Sequence, residues 1–358
     1  MSRKFHDLIV KSVHNETEDS VIVSFDIPDE LREEFTFIPG QYLTLETQIN
    51  GEDVRRSYSL CSAPFESEWK VAIKRVEGGK FSTYANTELK SGDRLNVLVP
   101  DGNFKLETKK DNQNHYVAFA AGSGITPIMS MIKSVLAEES NSTFTLFFGN
   151  RNFDAIIFRE ELEALKNRYL NRLSIHHILS KEKLGSPWFY GRLDKQKCNR
   201  YCSVLFDPNE VSNYYLCGPA QMIFDIRDEL TSLGVEPAKI HFELFNTDDI
   251  KVAKKEESPS YDPKTESKVT IILDGESMEM PLVYGGLSVL DAALSAGADL
   301  PYACKGGVCS TCKAKLMDGE VEMDLNYALE PDELEQGFIL TCQSHPRTAA
   351  LTVNFDEA

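Results

Sequence analysis

The chain has 358 residues, 42% of them hydrophobic and 26% charged, with a formal net charge of −18 at pH 7. This length allows two or three domains that each bury a core, and the acidic balance argues against a nucleic-acid partner because a phosphate backbone needs a basic face. No stretch approaches the roughly 18 uninterrupted apolar residues of a membrane span, and the first ten residues do not resemble a signal peptide, so a cytoplasmic location is expected.

The first hundred residues alternate between apolar and polar side chains in short runs, which predicts β-strands. Turn-forming pairs such as Pro39-Gly40, Asn50-Gly51 and Gly78-Gly79 separate the runs. This pattern is typical of an antiparallel barrel or sandwich. The predicted strands cover residues 6–13, 20–27, 42–48, 69–76 and 94–99.

Two segments of this region carry residues suited to a flat ring and a phosphate. Arg56, Tyr58 and Ser59 lie close together on a strand, and a glycine turn at residues 78–79 precedes hydroxyl side chains at a possible helix start. Such a turn presents backbone N–H groups to a pyrophosphate, which Arg56 can neutralise, and Tyr58 can pack on a ring. Taken alone the pattern is common on protein surfaces, and the Ser59 hydroxyl could simply be satisfied within its strand.

From residue 116 strands and helices alternate, which predicts a parallel sheet. Strands are expected at 116–121, 143–148, 173–179 and 213–217, and helices at 128–136, 159–169 and 220–233. The first strand runs into Gly122-Ser-Gly124-Ile-Thr126-Pro127. Pro127 replaces the third glycine of a dinucleotide fingerprint, but a proline in the first helical turn leaves the other N–H groups aimed at a phosphate.

Residues 246–267 are charged and poor in large apolar side chains, which predicts a linker. Beyond it, strands are expected at 268–273, 277–282, 312–316 and 337–340, and a helix at 288–296. This last part is strongly acidic: residues 266–358 contain 16 Asp and Glu against 5 Lys and Arg, which is −11 of the total charge. The excess indicates either a solvated surface or a face that docks a basic partner.

Four cysteines near the carboxyl end have the spacing of the thiolates that hold a plant-type 2Fe-2S cluster: Cys304, Cys309, Cys312 and Cys342. Glycines at 306 and 307 allow a tight loop around the inorganic sulfides. The alternatives are two disulfides or a zinc site, although zinc sites favour two matched Cys-x2-Cys pairs and only one is present. Cys61, Cys198 and Cys202 are interpreted as structural.

The first two units together resemble the ferredoxin–NADP reductase family, whose Arg-x-Tyr-Ser signature matches Arg56, Tyr58 and Ser59. The resemblance implies that Tyr58 stacks on the flavin ring and that the Ser59 hydroxyl faces flavin N5. It also implies further flavin contacts from Lys74, Val76, Gly79, Lys80, Phe81 and Ser82.

The same resemblance implies that residues 122–127 form the nicotinamide-nucleotide loop, through Gly122, Gly124, Thr126 and Pro127. Cys217, followed by Gly218, and Glu243 would line the nicotinamide pocket, and Phe245 would cover the flavin until nicotinamide displaces it. Cys217 could instead fill space in the core.

The choice between NADPH and NADH depends on cations that meet a 2′-phosphate. Ser180-Lys181 stands where NADP-specific members of the family carry Ser-Arg, and Arg151 could add a second cation. Lysine is a poorer planar partner than arginine. NADPH is expected, with NADH possible.

The predicted organisation is therefore an FAD-binding antiparallel β-barrel (1–107), an NAD(P)-binding α/β domain (108–245), a linker (246–267) and an α+β ferredoxin domain of β-grasp type (268–358). Nicotinamides deliver two electrons and the cluster accepts one, so a flavin must stand between them. This order of domains resembles the reductase components of multicomponent bacterial oxygenases. Two alternatives are the reductase of a ring-hydroxylating dioxygenase or demethylase, some of which use FMN, and a non-enzymatic electron carrier or redox sensor.

The segments that follow the cluster loop, at 318–333 and 337–344, resemble the reductase components of the phenylacetyl-CoA epoxidase family. That resemblance covers essentially the whole chain. It implies oxygenase subunits of a multicomponent di-iron monooxygenase as partners and a role in phenylacetate catabolism. The acidic run 320–335 is the predicted docking face, with plain solvation as the alternative.

Overall fold

A computed structural model of the chain describes residues 4–183, 185–245 and 265–358. Most of the predicted linker, residues 246–264, lies outside this part of the chain, and Glu266 and Ser267 already belong to a strand. Within the described residues, three large β-sheets follow one another along the chain. None of the helices in these ranges is long and apolar enough to span a membrane.

The first sheet has six antiparallel strands in the order β4-β3-β6-β1-β2-β5. Leu60 and Val71 form an extra bridge between the two ends of the sheet, which therefore curls into a barrel as predicted. A helix, α1 (Lys80–Thr87), lies between β5 and β6 in the sequence. The strands are β1 (Phe5–Thr17), β2 (Ser20–Asp26), β3 (Tyr42–Ile49), β4 (Glu52–Ser59), β5 (Trp69–Lys74) and β6 (Arg94–Leu98).

Strand β4 is absent from the five predicted runs because it contains one aliphatic residue, Val54. Its partner and the turn before it decide its structure. Asn50 and Gly51 both have positive φ, at 54° and 82°, which is the geometry of the tight turns that join two antiparallel strands. The hairpin then pairs β4 with β3 along its whole length, with Tyr42 opposite Ser59.

The second sheet has five parallel strands in the order β11-β10-β7-β8-β9, which confirms the predicted α/β unit. Two separate apolar cores form, one containing residues of α2 and the other residues of α5. The elements are β7 (His115–Ala121), α2 (Ile125–Glu138), β8 (Thr143–Asn150), α3 (Arg159–Arg168), β9 (Leu173–Leu179), α4 (Lys195–Val204), β10 (Asn213–Gly218), α5 (Ala220–Ser232) and β11 (Ile240–Leu244).

The strand order reverses between β7 and β10, and ligands of open α/β sheets bind at the carboxyl ends of the strands beside such a reversal. The loop at Gly122–Gly124 leaves β7 at this point and Gly218 ends β10. The two backbones touch: a Cβ on Gly124 would lie 2.1 Å from the carbonyl oxygen of Cys217. Only glycine fits there. Helix α4 and strand β11 were not predicted.

The third sheet has the order β13-β12-β18-β14-β16 and mixes parallel and antiparallel neighbours, which agrees with the predicted α+β unit. Its core includes residues of α6 together with Cys312 and Cys342. The elements are β12 (Glu266–Leu273), β13 (Glu276–Val283), α6 (Val289–Ser295), β14 (Lys313–Asp318), β15 (Val321–Met323), α7 (Pro331–Glu335), β16 (Phe338–Leu340), β17 (Ser344–Pro346) and β18 (Ala350–Asn354). Strands β15, β17 and β18 and helix α7 were not predicted.

Candidate functional site

A cavity of about 560 Å³ opens where the three units meet. Its wall combines residues predicted for the flavin, the nicotinamide and the cluster, although these lie far apart in sequence. Twelve of the predicted site residues line it: Arg56, Tyr58, Ser59, Lys74, Val76, Gly79, Lys80, Phe81, Ser82, Thr126, Glu243 and Phe245. Two of the four predicted cluster cysteines line the same cavity: Cys304 and Cys309.

Strand β4 ends at the cavity with Tyr58 and Ser59. The ring of Tyr58 lies 5.5 Å from that of Phe81, at an interplanar angle of 43°. Burial raises the pKa of the Tyr58 hydroxyl well above its usual value, so the phenol stays neutral. The position therefore offers a flat, uncharged face to a ring in the cavity.

Helix α1 begins at the same wall, directly after the glycine turn. Gly79 is its N-cap, and a Cβ there would lie 2.5 Å from the Ser82 hydroxyl oxygen. That oxygen accepts a hydrogen bond from the Val76 N–H at 3.1 Å, which fixes the turn. Lys80 pairs with Glu52. The backbone N–H groups of the first turn are therefore available to an anion that enters the cavity.

Two cations border this helix start. The Arg56 side chain is exposed and donates to the carbonyl of Arg55 at 2.7 Å. Lys74 forms an ion pair with Asp19 at 3.4 Å. Within the described ranges, Arg56 has no carboxylate partner, so it is the cation best placed to neutralise a pyrophosphate.

The loop after β7 also contributes Ser123 and Thr126 to the cavity wall, and the Thr126 hydroxyl donates to the Ser123 carbonyl at 3.0 Å. Gly122 adopts a φ of 55°, and Pro127 is buried in the first turn of α2. Gly218 ends β10 beside this loop. Of the five, only Ser123 and Thr126 reach the cavity wall.

Cys217 is fully buried in the core of the second unit and is not among the residues that line the cavity. Burial raises the pKa of its thiol well above the usual value, so the group is a neutral thiol. Its backbone, through the contact with Gly124, shapes the loop after β7. The direct role at the nicotinamide stays a prediction.

Ser59 and Glu243 join the first two units across the cavity: the Ser59 hydroxyl donates to a Glu243 carboxylate oxygen at 3.3 Å. Burial raises the pKa of the Glu243 carboxyl to about 8, and the Ser59 hydrogen bond lowers it only in part. Glu243 is therefore mostly protonated at neutral pH. Together the two side chains can hold a proton at the cavity wall and exchange it between them.

The raised pKa of Glu243 predicts a pH-dependent stability. Between pH 4.5 and 8 the folded chain holds a proton that the unfolded chain has lost, so stability falls as pH rises through this window. The loss amounts to at most about 1.4 kcal/mol for each pH unit. Glu243→Gln cannot ionise, and its thermal midpoint is expected to change less than that of the wild type between pH 5 and 8.

The control for this comparison is Glu320→Gln, which removes an exposed carboxylate. Its midpoint is expected to follow the wild-type pH dependence. Equal pH dependence of wild type and Glu243→Gln would show that Glu243 ionises normally in the folded protein.

Phe245 is 40% exposed and lines the cavity immediately after β11. It is the last residue described before the gap at 246–264. An aromatic side chain at this position can cover a ring in the cavity and move without disturbing a core.

The two cationic residues predicted to bind the 2′-phosphate lie close together, outside the cavity. Arg151 and Lys181 follow the adjacent strands β8 and β9, and the Lys181 N–H donates to the Arg151 carbonyl at 2.8 Å. The Ser180 N–H donates to the Asn150 carbonyl at 2.9 Å. Both cationic side chains are exposed. They form a basic site at the carboxyl edge of the sheet, where a nucleotide would extend from the loop after β7.

The four predicted cluster cysteines converge as two pairs. The Cys309 thiol donates to the Cys304 sulfur at 3.1 Å, and Cys312 is hydrogen-bonded to Cys342. Hydrogen bonds from Cys309 and from backbone N–H groups lower the pKa of Cys304 to about 6. Among the described residues, no three such ligands stand close enough to share one metal ion. Two pairs of thiols suit two irons bridged by sulfide better than one zinc.

The loop around these cysteines has the backbone that a cluster needs. Lys305 and Gly307 adopt positive φ values of 51° and 73°, and the Gly306 N–H points to the Cys304 sulfur at 3.3 Å. The Gln343 amide points to the Cys342 sulfur at 3.5 Å. Such N–H···S bonds stabilise a thiolate-bound cluster. The donor set and the loop therefore fit a 2Fe-2S cluster.

The other three cysteines predicted as structural are buried and free. Cys61 donates to the Lys70 carbonyl at 3.2 Å, and Cys198 is hydrogen-bonded to Cys202. Burial raises the pKa of the Cys61 thiol to about 12, which makes it unreactive.

The predicted site residues left out six residues of the cavity wall: Tyr42, Ser57, Ala72, Glu77, Leu244 and Val308. Gly78, Ser123 and Gly306 belong to the predicted loops and also line the cavity. Tyr42 was predicted only as the start of a strand. The proximity of Val308 to the second unit, whose core it joins, depends on how the units pack. No local sequence pattern indicated that Tyr42 or Val308 would line the cavity.

Three family models match the chain in the order of the three sheets. They are the oxidoreductase FAD-binding domain over residues 7–106, the oxidoreductase NAD-binding domain over 119–228, and the 2Fe-2S iron-sulfur cluster binding domain over 271–347. The three matches include the cavity-lining residues of each unit except Glu243, Leu244 and Phe245, which lie beyond the end of the second match.

The similarity extends to whole proteins. The chain is 43% identical over 352 residues, 98% of each chain, to one of the subunits of 1,2-phenylacetyl-CoA epoxidase from Escherichia coli (strain K12). It is 33% identical to the ferredoxin reductase component of 3-ketosteroid-9-alpha-monooxygenase of Rhodococcus rhodochrous, over 97% of this chain and 96% of that one. Phthalate dioxygenase reductase, a structure described as modular for electron transfer from pyridine nucleotides to a 2Fe-2S centre, matches with 25% identity, a TM-score of 0.56 and 98% coverage of both chains.

Proposed function

We propose a function from the premise that this chain belongs to the family of ferredoxin reductase components of multicomponent oxygenases. It is an oxidoreductase with FAD-binding, NAD-binding and 2Fe-2S domains. The specific proposal is that it takes electrons from NADPH and delivers them to the oxygenase subunits of a phenylacetyl-CoA epoxidase. The 43% identity along 98% of both chains is the observation that carries this choice of acceptor.

FAD would supply the conversion of a two-electron hydride into single electrons, and the 2Fe-2S cluster would accept them one at a time. The chain's own residues bind and orient these groups. The start of α1 and Arg56 would bind the pyrophosphate, and Tyr58 would cover the ring. Ser59 and Glu243, 3.3 Å apart, would move the proton that accompanies hydride transfer. The four cysteines would hold the irons.

The proposed partner is a di-iron oxygenase, which the chain would serve without touching the organic substrate. The acidic run 320–335 is proposed as the docking face. Asp332 and Glu335 in this run are exposed, whereas Glu333 accepts hydrogen bonds from Asn103 at 2.6 Å and from Lys313 at 3.0 Å. The exposed carboxylates, rather than Glu333, would meet a basic partner. Eight free cysteines support the proposal of a cytoplasmic location.

Reconstitution tests the proposed acceptor. Purified protein is mixed with the oxygenase subunits of a phenylacetyl-CoA epoxidase, and NADPH consumption and epoxide formation are followed together. The expected result is consumption that requires phenylacetyl-CoA and matches the product formed. Coupled turnover only with a ring-hydroxylating dioxygenase, or FMN in the extracted flavin, would favour that alternative. Failure of NADPH to bleach the flavin would favour the sensor.

The basic site at the end of β8 and β9 predicts the nucleotide preference. Lys181→Ala removes a cation that would meet the 2′-phosphate of NADPH and that NADH does not need. The KM for NADPH is expected to rise about fivefold to tenfold, as for loss of one charge-assisted hydrogen bond, while the KM for NADH stays unchanged. Steady-state flavin reduction with each nucleotide measures the two KM values and so their ratio.

The matched control is Lys110→Ala, which removes an exposed lysine that precedes β7, near the opposite, amino end of the sheet. Both KM values are expected to stay at wild-type levels. An unchanged NADPH to NADH ratio in Lys181→Ala would remove Lys181 from the phosphate site.

A further inference from the structure

Tyr42 joins the flavin-binding sheet to the cluster loop. It begins β3, lies opposite Ser59 of β4, and lines the cavity. Its hydroxyl oxygen accepts a hydrogen bond from the Ser310 N–H at 3.1 Å. Ser310 directly follows Cys309, a predicted cluster ligand. One side chain therefore connects the strand pair that carries Ser59 with the cluster loop.

Asp101, together with Tyr42, binds Ser310. The backbones of Tyr42 and Asp101 exchange two hydrogen bonds, of 2.9 and 3.0 Å, which hold the two residues side by side. The Ser310 hydroxyl donates to the Asp101 carboxylate at 3.1 Å and lies 3.0 Å from the Tyr42 hydroxyl. Ser310 is therefore held by hydrogen bonds from both its backbone N–H and its side-chain hydroxyl.

The Tyr42 ring is also held in position by the residues that pack around it. Tyr42 is 4% exposed, and a Cβ on Gly102 would lie 2.9 Å from its ring. Gly102 has a φ of 122°, so glycine is required there for both space and backbone. The ring packs against Ala303 and Cys309 in a small apolar cluster. It can neither rotate nor withdraw without opening this contact.

A second contact in register with the first extends the interface. Thr44 lies two residues along β3, so its side chain shares the face of Tyr42. Its hydroxyl lies 3.4 Å from that of Thr311 and 3.0 Å from that of Ser57 on β4. Side-chain hydroxyls of both units therefore meet at two successive positions along β3.

We propose that Tyr42 is a positioning residue for electron transfer from the flavin site to the cluster. The inference rests on the proposed function and deepens it by naming the residue that sets the relative position of the two sites. One electron leaves the flavin site and arrives at the irons for each transfer, and no bond of Tyr42 forms or breaks. Tyr42 holds the Cys309 side of the cluster loop against the cavity wall, so that this step crosses a fixed distance.

Tyr42→Phe tests the proposal on the holoprotein because it keeps the ring and removes the hydroxyl that accepts from Ser310. Rapid mixing with NADPH is expected to show flavin bleaching at the wild-type rate, followed by reduction of the cluster about tenfold more slowly. Reduction of ferricyanide by the flavin should be retained, whereas reduction of cytochrome c through the cluster should fall. Hydrogen–deuterium exchange of a peptide covering 303–312 should become faster, independently of activity.

Tyr84→Phe is the matched control, because Tyr84 lies in the same unit and its hydroxyl bonds to Thr47, away from the cluster loop. It should leave the transfer rate and the exchange of 303–312 unchanged. A Tyr42→Phe protein with wild-type transfer and exchange would overturn the proposal. If wild-type protein itself failed to pass electrons to its cluster, the proposed function would fail instead. A variant that merely unfolds would also lose flavin bleaching, which separates that outcome from the expected one.

Discussion

Replacing Cys309 with serine is expected to abolish electron transfer through the cluster while sparing hydride transfer to the flavin. Serine is a harder and less acidic ligand than a thiol, so a cluster that the four cysteines would hold is expected to be lost. Loss of one supporting hydrogen bond around a metal costs about 10- to 100-fold in affinity or activity, and loss of a ligand costs at least as much. Iron content, the paramagnetic signal of the reduced protein and cytochrome c reduction measure the loss.

Cys61→Ala is the matched control, since Cys61 is a buried free cysteine in the flavin-binding unit. It should keep its iron and its rate of cytochrome c reduction. Equal loss of flavin bleaching and cytochrome c reduction in Cys309→Ser would contradict the assignment of the two steps to separate units. A full complement of iron in that variant would remove Cys309 from the ligand set.

The sites that could be predicted from the sequence are those where chemistry demands particular residues at particular spacings. The cluster cysteines lie within 39 positions of one another and can be recognised without knowledge of the fold. The glycine turn before α1 and the loop after β7 combine a backbone requirement with an adjoining helix start, so they are also local signals. The structure brings members of all three sets together around one cavity.

The face of β3 and β4 that contacts the third unit could not be predicted in this way. Its cross-strand pairs are Tyr42 with Ser59, Thr44 with Ser57, and Glu46 with Arg55. Alternation along the strands identifies these residues as one face, and polar side chains on such a face ordinarily meet solvent. Most of this face is buried instead because the third unit covers it. The partner surface lies about 250 residues away in sequence, so no local pattern could reveal it.

The alternation of side chains along β4 also explains why Arg55 and Arg56 differ. Strand residues alternate between faces, so neighbouring arginines point in opposite directions. Arg56 is exposed and lines the cavity, whereas Arg55 is buried on the face that contacts the third unit. A sequence that shows two consecutive arginines does not tell which one faces a cofactor. The resemblance to the ferredoxin–NADP reductase family selected Arg56. The alternation of side chains along β4 is the physical reason that Arg56, and not Arg55, faces the cavity.

Arg55→Ala is expected to have the largest effect on the docking of the third unit. The guanidinium pairs with Glu46, donates to the Leu300 carbonyl at 2.9 Å and to Asp299 at 2.9 Å, and lies over the ring of Tyr302 at 4.7 Å. Its removal leaves Glu46, 13% exposed, without its cation. Breaking a buried ion pair costs about 3 kcal/mol. Thermal unfolding should therefore shift downward, and exchange of residues 299–312 should accelerate.

Arg94→Ala supplies the control, because Arg94 pairs with Asp7 on the same sheet but both side chains are more than half exposed. Exposed pairs contribute about 0–1 kcal/mol, so its thermal midpoint and the exchange of 299–312 should stay close to wild type. Arg55→Lys keeps the charge but cannot reach three partners at once, and should fall between wild type and Arg55→Ala. If Arg55→Ala lowered the midpoint without changing the exchange of 299–312, Arg55 would stabilise the barrel alone. The contacts to Leu300 and Asp299 would then contribute nothing to docking.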